Sequence, residues 1–237
     1  MNLGLGGKVA LVTAASKGLG RASAQALVEE GASVAINARD AVRLRGVANE
    51  LGDDILALPG DVTDPETPAR LVTETVERFG GLHVLVANAG GPPKARAVDI
   101  DDATLLEAIN ANLVASIRLV RAALPHMRAA GWGRVCLITS STVKQPIPEL
   151  ATSNTARAGL YGWAKTASQE LFDEGITVNL ACPGLHRTDR VVQTGFTGRM
   201  GDPADFGKVV AFLCSEPARF ISGTAVLIDG ASTLGLH

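Results

Sequence analysis

The chain has 237 residues, 46% of them hydrophobic and 19% charged, enough to bury a large core as one α/β unit. Its net charge of −2 provides no basic field, which sets nucleic acid aside as a partner. No uninterrupted apolar run approaches the ~18 residues of a membrane span. Residues 1–8 also lack the basic and apolar regions of a signal peptide. Cys136, Cys182 and Cys214 are odd in number, lie in apolar stretches and have no metal spacing, so they read as reduced thiols of a cytoplasmic protein.

In chain order, an apolar run at 9–12 predicts a short buried strand, a glycine turn follows at once, and 21–30 reads as a helix. A strand, a tight glycine turn and a helix N-terminus make an anion site, because unpaired backbone N–H groups and the helix dipole both face the turn. The turn is Thr13-Ala-Ala-Ser16-Lys17-Gly18-Leu19-Gly20; Gly18 and Gly20 let backbone approach a pyrophosphate and let the helix pack on the strand. Further strand-like runs lie at 33–37, 55–58, 84–87, 135–139, 177–181 and 225–228. Helical patterns lie between them. Val72, Val76 and Phe79 are spaced for one helix, and Leu106, Ile109, Leu113, Ile117, Val120 and Leu124 for a long amphipathic one. Continuous apolar strands alternating with helices predict a parallel sheet covered on both faces, and right-handed crossovers make it doubly wound. Residues 1–237 thus read as a single Rossmann-type domain with about seven parallel strands.

In such a sheet ligands sit beyond the carboxyl ends of the strands. After the second strand comes Asn37-Ala-Arg39-Asp40. An NAD site usually ends this strand with a carboxylate for the ribose 2′-hydroxyl, whereas an NADP site uses a cation for the 2′-phosphate. Ala38 removes the acid and Asp40 is one residue late, while Arg39 and Lys17 supply positive charge, so the pattern favours NADP over NAD. Arg39 as a solvated surface residue is the plainer alternative. Asp61 and Val62 follow the third strand and suit the adenine end. Asn88-Ala89-Gly90-Gly91 follows the fourth, its small residues admitting the cofactor, and Pro183-Gly184-Leu-His186-Arg-Thr188 follows the sixth.

These strand-end motifs, with Asn112-Leu113, Ile138-Thr-Ser140 and the closing Ile221-Ser-Gly…Asp229-Gly230, resemble the classical short-chain dehydrogenase/reductase family along essentially the whole chain. Ala14 stands where the family usually has its first glycine, which a turn tolerates if φ stays negative. The resemblance implies NAD(P)-dependent hydride transfer, with a Tyr-x-x-x-Lys pair, a Ser and an Asn handling the proton. Tyr161-Gly-Trp-Ala-Lys165 offers such a pair, but out of register. In the family the Tyr follows the Ser by about 13 residues and precedes Pro-Gly by about 30, and a motif counts only in that context. Tyr161 lies 21 after Ser140 and 22 before Pro183; Ser153 lies 13 after and 30 before, with Arg157 four further on. Eight helical residues span about 12 Å, so Tyr161 and Lys165 are expected to pack a helix or a subunit contact instead.

The resemblance therefore places Ser140, Ser153, Arg157 and Asn112 at the catalytic centre, with Ser140 orienting a carbonyl and Asn112 a water. The bland alternatives are a strand-end hydroxyl and a helix amide satisfied internally. Serine is a far weaker acid than tyrosine, and Arg157 holds its proton where a lysine could relay one. Lys144 and His186 are candidate substitutes, each with a surface role as the alternative. The expectation is an NADP(H)-dependent reductase of a small carbonyl, or oxidant of the matching alcohol, similar to 3-oxoacyl carrier-protein reductases. A non-redox lyase, isomerase or cyclase, or a catalytically silent cofactor-binding protein, are the alternatives. Residues 188–199 form a short lid, with Gly195, Gly198 and Gly201 expected to make it mobile. The apolar helices at 103–130 and 154–173 match those through which family members form homotetramers or homodimers.

Overall fold

Four successive apolar residues with no polar interruption, Val9–Val12, form β1 and are buried on both faces. The computed structural model describes residues 1–235. Six more strands follow: β2 (Ser33–Ala38), β3 (Ile55–Pro59), β4 (Val84–Ala87), β5 (Gly133–Ile138), β6 (Ile176–Pro183) and β7 (Ala225–Ile228). All pair in parallel, in the order β3-β2-β1-β4-β5-β6-β7, so the order reverses between β1 and β4. That reversal opens a crevice at the carboxyl ends of these two strands.

One face of the sheet is covered by α1 (Gly18–Glu29), α2 (Ala41–Leu51) and α8 (Pro203–Leu213), around Leu27, Ile36, Leu44 and Phe206. The other is covered by α3 (Thr67–Phe79), α5 (Ala115–Ala130) and α6 (Ala151–Leu171), around Leu71, Leu85, Leu119, Met127 and Leu160. A short α4 (Asp102–Ile109) precedes α5, and a one-turn α7 (Asp189–Val192) follows β6.

One expectation changes here. The long amphipathic helix is one run from Asp102 to Ala130, but a π-helical turn at Asn110–Val114 interrupts it and rotates its faces. The sheet consequently receives Ala115, Leu119, Val120, Ala123 and Met127. Of the expected stripe only Val120 is buried; Ile109, Leu113, Ile117 and Leu124 are half-buried and Leu106 is 64% exposed. One 18-residue window of this run is apolar enough, and the run long enough, to cross a membrane, although the run contains Asn112, Arg118 and Arg121. Its packing on α3, β4, β5 and α6 makes it a cover for the sheet.

Candidate active site

The glycine turn is built for close approach. A Cβ on Gly20 would lie 2.5 Å from the Ala14 carbonyl oxygen and 2.8 Å from Asn88 Nδ2, so only glycine fits. Gly18 has φ +58°, open to glycine at no cost. Ala14 departs from expectation: its φ is +47°, in the left-handed region, because the chain must reverse there to bring α1 under the turn. An L-residue pays strain in that region.

Lys17 caps α1 with extended backbone (φ −168°) and no side-chain hydrogen bond, and no acid stands in the first turn. The first N–H groups of α1 are therefore left for an anion. Across the crevice, buried Thr13 and half-buried Asn88 lock together: Thr13 Oγ1 donates to the Asn88 carbonyl at 2.8 Å, and Asn88 N donates to Thr13 Oγ1 at 2.9 Å. Thr188 closes the far side, its methyl 3.3 Å from where a Cβ of Gly18 would sit. Gly184 is pressed on Asp229, and Pro183 ends β6 beside Ile228 of β7. Ser16 and Leu19 are half-buried in the turn, with Leu19 packed on the α1 side of the core, and Ala89 and Gly90 extend the β4 end towards the surface.

At the end of β2, Arg39 is 82% exposed and its guanidinium stands 3.7 Å from Asp61 at the end of β3. Asp61 also accepts from the backbone and hydroxyl of Thr63, while neighbouring Val62 packs on the α3 side. Asp40 is committed elsewhere, because its carboxylate caps α2 by accepting from Val42 N and Arg43 N. The acid beside Arg39 is therefore Asp61, while Asp40 is engaged as a helix cap. The uncapped helix and the excluded Cβ at Gly20 together fit a dinucleotide, with Arg39 exposed at the β2 end of the site.

A second feature lies at the ends of β5 and β4, a cavity of about 180 Å³ lined by Gly91, Pro92, Thr139, Ser140, Leu150, Ser153, Arg157 and Arg190. Ser140 Oγ accepts from Thr142 N at 3.2 Å, which leaves its proton to donate. Ser153, in the first turn of α6 and 8% exposed, accepts at Oγ from Arg157 Nε at 3.1 Å, so its proton is also available. Arg157 is 7% exposed, and donates also to the Ile138 carbonyl at 3.2 Å and to Asn112 Oδ1 at 3.1 Å. Burial, and next the charge of Arg190, push its guanidinium down to about 10, still protonated at neutral pH. Asn112 sits in the π-helical turn, where its side chain donates to Ala108 O at 3.3 Å and accepts from Arg157. Both ends of its side-chain amide are thereby engaged within the protein.

Tyr161 and the two proposed substitutes lie apart from that lining. Lys144 Nζ reaches Tyr161 Oη at 3.3 Å and stacks 4.8 Å from the ring centroid. His186 is neither a surface residue nor a wall of the cavity: it is 4% exposed, bonded through Nδ1 to Gly184 O and edge-on to Phe206. The short lid is α7 and a turn that leaves Val192 and Phe196 partly exposed. Arg190 is the charged wall residue that the sequence did not single out. Its signal was position, two residues after Thr188 at a strand end already marked as part of the site.

Residues 13–233 match the family model described as enoyl-(acyl carrier protein) reductase. The chain is 31% identical to a 3-oxoacyl acyl-carrier-protein reductase of Vibrio cholerae, covering 96% of this chain and 98% of the relative. It is 30% identical to bovine dehydrogenase/reductase SDR family member 4, covering 96% and 88%. The crystal structure of L-sorbose reductase from Gluconobacter frateurii, complexed with NADPH and L-sorbose, superimposes with a TM-score of 0.95 at 30% identity, covering all of both chains. The chain belongs to the classical short-chain dehydrogenase/reductase family of oxidoreductases.

Proposed function

We propose that the protein is an NADP(H)-dependent carbonyl reductase acting on a small ketone or 3-oxoacyl group, with Ser153 and Arg157 in place of the family's tyrosine and lysine. The observation that carries this is the convergence of Ser140, Ser153 and Arg157 on one small cavity beside the Asn88–Gly91 turn. NADP is favoured because Arg39 is exposed where the 2′-phosphate would lie and Asp40 is engaged as a helix cap. Lys17 and the first N–H groups of α1 would take the pyrophosphate, with Thr13, Asn88 and Thr188 framing it.

When bound, the reduced nicotinamide supplies a hydride to the carbonyl carbon. The substrate oxygen takes hydrogen bonds from the Ser140 and Ser153 hydroxyls as negative charge develops on it. Arg157 fixes the Ser153 hydroxyl through Nε and places a positive charge behind it. Because a guanidinium keeps its proton, the proton that completes the alcohol comes from solvent through the serine hydroxyl. We also infer a homo-oligomer, since the run from Leu106 to Leu124 leaves an apolar face partly uncovered.

The test is NADPH consumption against a panel of ketones and 3-oxoacyl thioesters, with binding of NADPH measured in parallel. Ser153→Ala should lower kcat by about 10²–10³ while NADPH still binds. Tyr161→Phe should leave kcat within about twofold, the size expected of a packing residue away from the reacting atoms. A collapse of turnover in Tyr161→Phe with the fold intact would overturn this register.

A further inference from the structure

The cavity at the β4 and β5 ends holds two guanidinium groups and no carboxylate. Arg157 forms one wall, buried, and all three of its hydrogen bonds go to neutral oxygens: Ser153 Oγ, Ile138 O and Asn112 Oδ1. A guanidinium has five N–H donors, so two remain. Arg190 also lines the cavity, from the single turn of α7, with its head packed over Gly91 so closely that a Cβ there would strike it. Among the described residues, neither arginine stands within 4 Å of an acid, whereas the other buried arginine, Arg134, is paired with Glu216 at 3.4 Å. A buried cation without a counter-charge is costly, and two facing one cavity repel each other. The arrangement lowers its energy when an anion enters. Small size is the second constraint, since 180 Å³ lies below the ~300–1,000 Å³ of pockets for drug-sized ligands.

We propose that this cavity selects a small oxo acid, or the matching hydroxy acid, and that Arg190 holds its carboxylate while the charge of Arg157 attracts it from behind. The proposal rests on the reductase reading above and names its substrate class. The carbonyl oxygen then faces Ser140 and Ser153, and the carboxylate takes the planar fork of Arg190, which matches it with two parallel hydrogen bonds. Arg190 lies on the surface-facing side and Arg157 inside, so the charge is met at entry and then held.

The experiment compares kcat/KM of the NADPH-loaded protein for acetoacetate and 2-oxobutanoate with that for their methyl esters, in wild type and Arg190→Leu. The acids should be favoured by about 10- to 100-fold, the worth of hydrogen bonds to a charged group. Arg190→Leu should remove that preference mainly through KM, and Arg190→Lys should restore part of it. Wild type reducing the esters as well as the acids overturns the proposal and leaves the reductase reading standing. An unchanged preference in Arg190→Leu, with weaker NADPH binding, also overturns it and assigns Arg190 to the cofactor's phosphates. If no carbonyl is reduced, the reductase reading has failed. Calorimetry with acetoacetate then decides: binding that Arg190→Leu abolishes supports the carboxylate site, and no binding overturns it.

Discussion

Ala14 shows how one residue can be recognised for its position and misjudged for its geometry. Its place after β1 was legible because the strand, turn and helix pattern is local. Its positive φ was not, because the reversal depends on how α1 packs over the turn. Glycine adopts that φ without penalty, and its extra freedom when unfolded offsets part of the gain. Ala14→Gly should therefore raise unfolding free energy by about 0.5–1 kcal/mol, read as a higher urea midpoint at unchanged m-value. Arg39 offers a test of cofactor choice. Arg39→Glu should weaken NADPH binding by about 10- to 100-fold through loss of a charged hydrogen bond, with NADH binding equal or improved. Equal losses for both cofactors would remove Arg39 from the 2′-phosphate site.

At the scale of elements, α6 carries the main lesson. Ser153 and Arg157 occupy its first two turns against the cavity, whereas Tyr161 is two turns further on and paired with Lys144. Spacing from Ser140 and Pro183 separated the two registers, since a helix converts residue count into distance. The packing of the Asp102–Ala130 run was less legible. Its 3.6-residue periodicity is real, but the π-helical turn at Asn110–Val114 rotates one half against the other, and such a turn has no mark in the apolar pattern. The burial of His186 has no mark in the apolar pattern either, because it depends on contacts with Phe206 and Gly201 further along the chain. The half-covered face left on this run yields a prediction. Sedimentation should give a species larger than a monomer, and Leu106→Asp should shift it towards monomer with far-ultraviolet dichroism unchanged.

For the whole molecule, stability just below neutral pH depends on His83, which immediately precedes β4 beside the amino end of β1. Val9 N donates to its Nδ1 at 3.1 Å, so the neutral ring is the one that fits. Burial, and then the charge of Lys8, hold its pKa below the ordinary 6.5. The unfolded chain therefore binds a proton below 6.5 that the native state refuses, so stability is retained above that pH and falls below it. His83→Gln keeps an acceptor and does not titrate. The denaturant midpoint of wild type should fall between pH 6.5 and 5, and that of His83→Gln should fall less over the same range.

The sheet order has one more consequence. Where it reverses, between β1 and β4, the reciprocal hydrogen bonds of Thr13 and Asn88 fix the separation of the two strand ends. The width of the crevice mouth is thereby held by the fold itself. A dinucleotide arriving there does not wait for the walls to part, so the encounter itself sets the pace of capture. Association should then proceed in a single phase whose rate climbs in proportion to ligand concentration, without the plateau that a slow prior opening would impose.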